Sequence, residues 1–141
     1  MKRVKVALVA MLAAIVCTVG GCGVGAKAPY EAAVNKVFTC TDTYNGDMLV
    51  INFDVTNQTK SYMTGYDVTY SVSATLDGVA LQTAYMGSDN PNSINNEGQI
   101  GPKDTGVVQS VFSLPSNTTE GEVLVVISTH TGGLHEKGYC T

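Results

Sequence analysis

The segment MLVINFDVTN, residues 48–57, carries the pattern that decides the fold prediction. In an extended chain one of its faces is apolar and is formed by Leu49, Ile51, Phe53 and Val55. The other face is polar and is formed by Asn52, Asp54 and Thr56. Because successive side chains of a strand point to opposite faces, this period of two predicts a strand with one buried face. Its β-branched and aromatic residues favour the same structure.

The segment YDVTYSVSATL, residues 66–76, repeats this alternation over a longer stretch. Read as one strand, it places Tyr66 and Tyr70 on the same buried face as the valines between and after them. We therefore expect these two tyrosines in the core. Tyr62 and Tyr85, near the ends of their strands, are expected at the surface.

Turn residues separate these segments from their neighbours. Asp77-Gly78 predicts a type I′ hairpin, because both central residues of that turn need positive φ. Asn45-Gly46 predicts a turn of the same kind before the 48–57 strand. Further strands are expected at 105–115, 122–129 and 134–140. Between them the polar segment 87–104 is expected to form a long loop, and long loops are often functional.

About seven short strands with turn residues between them predict an all-β fold, an antiparallel β-sandwich of immunoglobulin type. We assign this domain to residues 37–141, and no amphipathic helix is evident within it. The chain has no tryptophan, so the pattern of antibody domains is not indicated.

The start of the chain has the features of an export leader. Three basic residues precede an uncharged apolar run, Val6–Val19, which is too short for a typical spanning helix. The run ends in Val19-Gly20-Gly21-Cys22, which resembles the lipobox of bacterial lipoproteins. The resemblance implies that residues 1–21 are a cleaved signal peptide and that Cys22 receives a diacylglycerol. The alternative is an ordinary secretory signal followed by a chance cysteine.

Cleavage at this point would place the protein on the extracytoplasmic face of the cell membrane, held there by the lipid on Cys22. Residues 22–36 are then expected to be a flexible tether, with one helical turn near 31–34. The mature chain would carry five lysines against twelve acidic residues, a net charge of −7. Without a basic patch, nucleic acid is not an expected partner.

Cleavage and acylation would leave two cysteines, Cys40 and Cys140. An even pair in an oxidising compartment predicts a disulfide that joins the two ends of the domain. By the chain-entropy estimate, a loop of about 100 residues closed in this way stabilises by up to ~4–5 kcal/mol. Two free thiols, or pairing between chains, are the alternatives.

Residues 48–128 resemble a family of small bacterial immunoglobulin-like lipoprotein domains of unknown function, related to telokin-like extracellular domains. The segments that carry this resemblance are FDVTNQT (53–59), DGVALQTAY (77–85), DNPNS (89–93) and GQIGPKDTGVVQSVFSL (98–114). The resemblance implies the sandwich fold, and it brings no catalytic residues.

Chemical activity is not indicated by any motif. The G-x-S-x-G pattern of serine hydrolases is missing from the sequence, and we expect no enzyme, cofactor or metal. His130 and His135 flank a glycine turn, but two histidines fall short of the three or four ligands of a zinc site. The 87–104 loop is rich in oxygen ligands, yet it departs from the EF-hand pattern.

We expect a non-enzymatic binding or scaffolding module with a protein or cell-envelope partner. Its candidate contact surface is formed by Tyr62, Tyr85, Asp89, Asn90, Asn92, Asn95 and Glu97. One alternative is an inhibitor or immunity-type lipoprotein that presents the 87–104 loop to a protease or toxin. Others are a metal-binding sensor or carrier and a structural spacer in the wall.

Overall fold

The computed structural model describes residues 5–7, 28–118 and 120–127, with side chains from residue 28 onward. These residues form nine strands and one short helix. The elements are β1 (Lys5–Ala7), β2 (Tyr30–Asp42), β3 (Gly46–Asn57), β4 (Met63–Thr64), α1 (Gly65–Thr69), β5 (Val72–Leu76), β6 (Val79–Ala80), β7 (Gln99–Ile100), β8 (Thr105–Ser113) and β9 (Glu120–Ile127).

The strands are arranged in two main sheets. In the first, β3 lies between β2 and β8 and is antiparallel to both. In the second, β5 pairs antiparallel with both β6 and β9. A separate two-stranded ladder joins β4 to β7. The predicted all-β antiparallel sandwich is confirmed.

The main core contains apolar side chains from both sheets. Leu49, Ile51, Phe53 and Val55 of β3 are fully buried in it, as the alternation of residues 48–57 predicts. The second sheet contributes Val72, Ala74, Leu76, Val125 and Ile127. These side chains belong to one cluster, so the sheets bury a shared apolar layer, the main source of stability in such folds.

The opposite face of β3 is also covered where the strand begins. Met48 and Val50 are buried there, and they form a second apolar cluster with Met86. The segment around residues 84–86 therefore packs on the outer face of the first sheet. This packing places Ala84, Tyr85 and Met86 beside β8.

The sandwich includes residues 30–36, which the sequence analysis placed before the domain. Tyr30 and Ala32 of β2 are buried in the main core, and the carbonyl of Pro29 accepts a hydrogen bond from the Gln58 N–H at 2.9 Å. The predicted helical turn at 31–34 is therefore wrong, as is the tether over residues 30–36. A register shift between Val34 and Lys36 interrupts the alternation of buried and exposed side chains. The period of two that would predict this strand is therefore missing from the sequence.

A short helix replaces the first half of the strand predicted over 66–76. The backbone N–H of Thr64 donates to the Asp67 carboxylate at 2.8 Å, as in a capping box, and starts α1. In a helix, residues four apart share a face. Tyr66 and Tyr70 consequently point outward together while Val68 is fully buried. The prediction of two core tyrosines is wrong, whereas β5 follows the predicted alternation.

Both predicted hairpins exist. Asp77 and Gly78 have φ values of 49° and 80°, as a type I′ turn requires, and they join β5 to β6. The turn between β2 and β3 has three residues, 43–45, and is followed by Gly46 at φ 72°. Its type therefore differs from the one predicted.

The strands expected at 105–115 and 122–129 correspond to β8 and β9. β1 falls within the predicted leader and pairs in parallel with Glu120–Glu122 of β9. Cys22, Cys140 and the strand expected at 134–140 lie outside the described residues.

Candidate binding groove

An open groove of about 640 Å³ runs beside β8. Its lining comes from three parts of the chain: α1 with the residue after it, the segment from Thr83 to Glu97, and β8. Its lining comprises Tyr66, Thr69, Tyr70, Thr83, Ala84, Tyr85, Met86, Ser88, Ser93, Ile94, Asn95, Asn96, Glu97, Gln109, Ser110, Val111 and Phe112. Its volume is in the range of small-ligand sites.

Three of the lining residues are exposed tyrosines. Tyr66, Tyr70 and Tyr85 have 42%, 87% and 72% of their surfaces accessible. Tyr66 belongs to α1, and Tyr70 follows it directly. A tyrosine ring offers an apolar face and a polar tip, and both suit contact with a ligand. The groove therefore has aromatic surfaces on two of its walls.

The backbone around Tyr85 is fixed by the turn between β2 and β3. The Asn45 side-chain amide donates to the Tyr85 carbonyl at 2.6 Å. The Asp42 carboxylate accepts the backbone N–H of Tyr44 at 2.9 Å and that of Gly87 at 3.1 Å. These two backbone donors hold the pKa of the Asp42 carboxyl below its usual value.

Gln109 holds the part of the groove lining formed by residues 93–96. Its buried side chain donates to the Asn92 carbonyl at 2.8 Å and accepts the Ile94 N–H at 3.1 Å. The Asn96 side chain in turn bonds both backbone groups of Gln109, at 2.7 and 2.9 Å. Asn96 thus occupies the backbone edge of β8 as a neighbouring strand would.

Gly65 lets this wall approach α1. Its N–H donates to the Asn96 carbonyl at 2.8 Å, and a Cβ at this position would lie 2.9 Å from the Asn96 Cβ. Only glycine fits such an approach without displacing the chain. The helix and the loop therefore meet at a fixed spacing.

The floor of the groove includes Ser110, whose residue surface is 6% accessible. Its hydroxyl oxygen is buried and has no hydrogen-bond partner among the described residues. A buried polar group without a partner is costly, so its presence calls for an explanation.

The charge of the groove is low and negative. Glu97 is the one carboxylate in the lining, and the seventeen lining residues include no lysine, arginine or histidine. Strong anion sites use cationic side chains. This groove therefore suits neutral polar ligands better than phosphates or carboxylates.

The structure divides the predicted contact residues into two groups. Tyr85, Asn95 and Glu97 line the groove. Tyr62, 69% exposed, does not, and neither do Asp89, Asn90 and Asn92. The Asn90 side chain accepts the Asn92 N–H at 3.0 Å, so it shapes the loop locally.

Tyr66 and Tyr70 are groove residues that the sequence analysis assigned to the core. The capping-box spacing of Thr64 and Asp67 is the signal that indicates a helix there. With that signal, both tyrosines are predicted on one exposed helical face.

Cys40 is the one predicted disulfide residue that the structure describes. It is half-buried against the second apolar cluster. Burial raises the pKa of its thiol, and the negative charge of Asp42 adds to this effect. A thiol with a raised pKa is a weak nucleophile at neutral pH. The pairing with Cys140 stays a prediction.

Residues 28–118 and 120–127 contain no group of three or more histidine, cysteine, aspartate or glutamate side chains placed to hold a metal. His130 and His135 lie outside this part. None of the described helices has the length and apolar character needed to cross a membrane.

Residues 24–126 match the family model described as a domain of unknown function, DUF5067. The chain belongs to the DUF5067 family. The expected membership of a family of unknown function is confirmed, whereas the likeness to lipoproteins and to telokin-like domains stays a prediction. A search of the curated proteins gave no match.

Among solved structures, the chain resembles an uncharacterized beta-sandwich protein from Clostridium difficile 630, determined at 1.90 Å resolution. The two are 13% identical and have a TM-score of 0.51, over 83% of this chain and 93% of that chain. At this level of identity the likeness supports the sandwich fold of the DUF5067 domain and nothing about its activity.

Proposed function

We propose that the protein is a lipid-anchored, non-enzymatic binding module on the extracytoplasmic face of the cell membrane. In this proposal the groove beside β8 contacts a component of the cell envelope. The observation that carries the binding role is the set of three exposed tyrosines that line one open groove. Exposed aromatic side chains gathered at a concave site are typical of recognition surfaces.

The anchor is supported by the sequence around Cys22. The family match begins at residue 24, after the proposed cleavage site, so the matched domain would be retained whole after cleavage. Two acyl chains on one cysteine suffice for stable membrane attachment.

The rigidity of the groove also supports a binding role. Its loop wall is held by Gln109 and its Tyr85 wall by Asp42 and Asn45. A site that is ordered before binding loses less conformational entropy on association. The inhibitor alternative expects a protruding loop, whereas residues 92–96 lie along β8, so we favour the groove.

The anchor is tested by measuring the intact mass of the protein extracted from its native membrane. We expect a mass that starts at Cys22 and includes a diacylglycerol. Retention of residues 1–21 without lipid would overturn the anchor.

The binding role is tested with the lipidated protein in detergent micelles and detergent-washed cell envelopes. We expect the protein to sediment with the envelopes and the double variant Tyr70→Ala/Tyr85→Ala to stay in solution. Tyr44→Ala is the matched control, since Tyr44 is 84% exposed and lies outside the groove lining. Equal sedimentation of all three proteins would overturn the role of the groove.

A further inference from the structure

The chemistry of the groove lining points to a ligand class. The lining combines three exposed aromatic rings with hydroxyl and amide side chains and a single carboxylate. Such a site offers flat apolar surfaces together with donors and acceptors for neutral hydroxyl groups. Pyranose rings have the matching chemistry, because their C–H faces are apolar and their rims carry hydroxyls.

Binding of an extended peptide along β8 is disfavoured, because most backbone groups on this edge of the strand already have hydrogen-bond partners. The Ala84 N–H donates to the Val111 carbonyl at 2.8 Å, and the Ser113 N–H donates to the Gln82 carbonyl at 2.9 Å. Asn96 occupies the backbone of Gln109. Addition of a peptide strand needs a run of free edge groups. On this edge, protein groups already cover most of that run.

Anionic and cationic ligands fit less well. The lining has no basic side chain for an anion. Organic cations are held by aromatic rings that close around them. Tyr70 and Tyr85 are open to solvent over 87% and 72% of their surfaces, which suits a platform rather than a closed cage.

We propose that this groove binds a neutral carbohydrate. Tyr70 and Tyr85 contact the faces of sugar rings, and Asn95 and Glu97 bond ring hydroxyls at the rim. This inference rests on the proposed function, because it names the ligand class of the same groove.

The test titrates the lipidated protein in detergent micelles with three neutral tetrasaccharides, built from glucose, N-acetylglucosamine and mannose, and with tetragalacturonate as the acidic comparison. Binding is measured by calorimetry. We expect at least one neutral tetrasaccharide to bind and the acidic one to bind more weakly. Failure of all three neutral sugars, or stronger binding of tetragalacturonate, would overturn the inference.

Variants place the binding in the groove. Tyr70→Ala and Tyr85→Ala are each expected to weaken binding of the sugar about tenfold, since they remove a contact surface. Tyr85→Phe, which keeps the ring, and Tyr44→Ala, outside the groove, are expected to leave affinity within about threefold. Equal losses in Tyr44→Ala and Tyr85→Ala would overturn the proposed site.

Failure of the carbohydrate inference can be distinguished from failure of the proposed binding role of the groove. Envelope sedimentation that depends on Tyr70 and Tyr85, without binding of any neutral tetrasaccharide, overturns the carbohydrate inference alone. Loss of both the sedimentation effect and sugar binding overturns the groove as a binding site.

Discussion

β3 and the 87–104 loop are ordered by opposite kinds of side chain. β3 is held by an apolar face, with Phe53 fully buried at its centre. The loop is held largely by two buried amides outside it, Gln109 of β8 and Asn57 at the end of β3. The apolar order of the strand is thus encoded within the strand, whereas part of the order of the loop depends on residues outside it. Mutations that appear remote from the groove can therefore change its shape.

Phe53→Ala should have the largest effect on stability. Removal of a fully buried phenylalanine costs about 3–5 kcal/mol, through lost apolar burial and a residual cavity. Denaturant unfolding followed by circular dichroism measures this loss. Asp54→Ala, on the polar face of the same strand, should cost below about 1 kcal/mol. Similar losses in both variants would contradict the difference in burial between the two faces of β3 around Phe53.

Asn57→Ala tests whether a buried amide contributes nearly as much to the free energy of unfolding as a buried apolar side chain. Asn57 donates to the carbonyls of Ser61 and Ile100 at 2.7 and 2.9 Å and accepts the Thr59 N–H at 2.9 Å. Its removal takes this side-chain partner from the Ile100 carbonyl and the Thr59 N–H, while the Ser61 carbonyl keeps the Thr59 hydroxyl, and should cost roughly 2–3 kcal/mol. Denaturant unfolding followed by circular dichroism measures this loss as well. A loss under about 0.5 kcal/mol, typical of surface sites, would refute this role.

Gln109→Ala should increase the local opening of the 87–104 loop more than it lowers the stability of the sandwich. We expect a stability loss of about 1–3 kcal/mol together with faster amide exchange at Ile94, whose N–H bonds the Gln109 side chain. Exchange in β3, as at Val55, should change less. Gln82→Ala, an exposed glutamine on the neighbouring segment, is the matched control. Uniform acceleration across loop and core would contradict separate control of the loop.

Asp42→Asn should alter how stability depends on pH. The folded-state pKa of Asp42 lies below its ordinary value of 3.8, so the unfolded chain takes up this proton first as pH falls. The stabilisation is complete above the ordinary pKa and is lost as pH falls through the lower one. The variant should therefore be less stable at pH 7 and approach the wild type in acid. Parallel curves from neutral to acid pH would refute this coupling.

Ser110→Ala should have the smallest effect on stability. Because its buried hydroxyl has no partner among the described residues, its removal should leave the unfolding free energy unchanged within about 0.5 kcal/mol or raise it slightly. A clear loss, measured by denaturant unfolding, would mean that the hydroxyl has a structural partner.

The fold could be predicted from the sequence where local patterns decide it. The alternation of residues 48–57 correctly identified the buried face of β3, and Asp77-Gly78 identified its hairpin. The same rule failed over 66–70, where alternation also fits a short helix and the cap at Thr64 was the deciding feature. It also failed at Tyr30, where the bulge near Asn35 interrupts the period.

The groove was only partly predictable. The exposure of Tyr85 and the candidate positions Asn95 and Glu97 came from the sequence, and the structure brings all three into one lining. Gln109 and Asn57 could not be assigned their roles, because each bonds residues far away along the chain. Such pairings depend on the packing of strands, which one-dimensional patterns do not specify.

If Cys22 carries the proposed lipid, the early start of β2 limits how far the domain can stand from the membrane. Pro29 is already bonded to Gln58, so a lipid on Cys22 would leave residues 23–28 as the whole connection. Fully extended, this connection spans about 25 Å. The anchored domain would therefore sample only a thin layer next to the bilayer. Any partner would have to reach into that layer. The length of this connection would then help to determine which envelope components contact the groove.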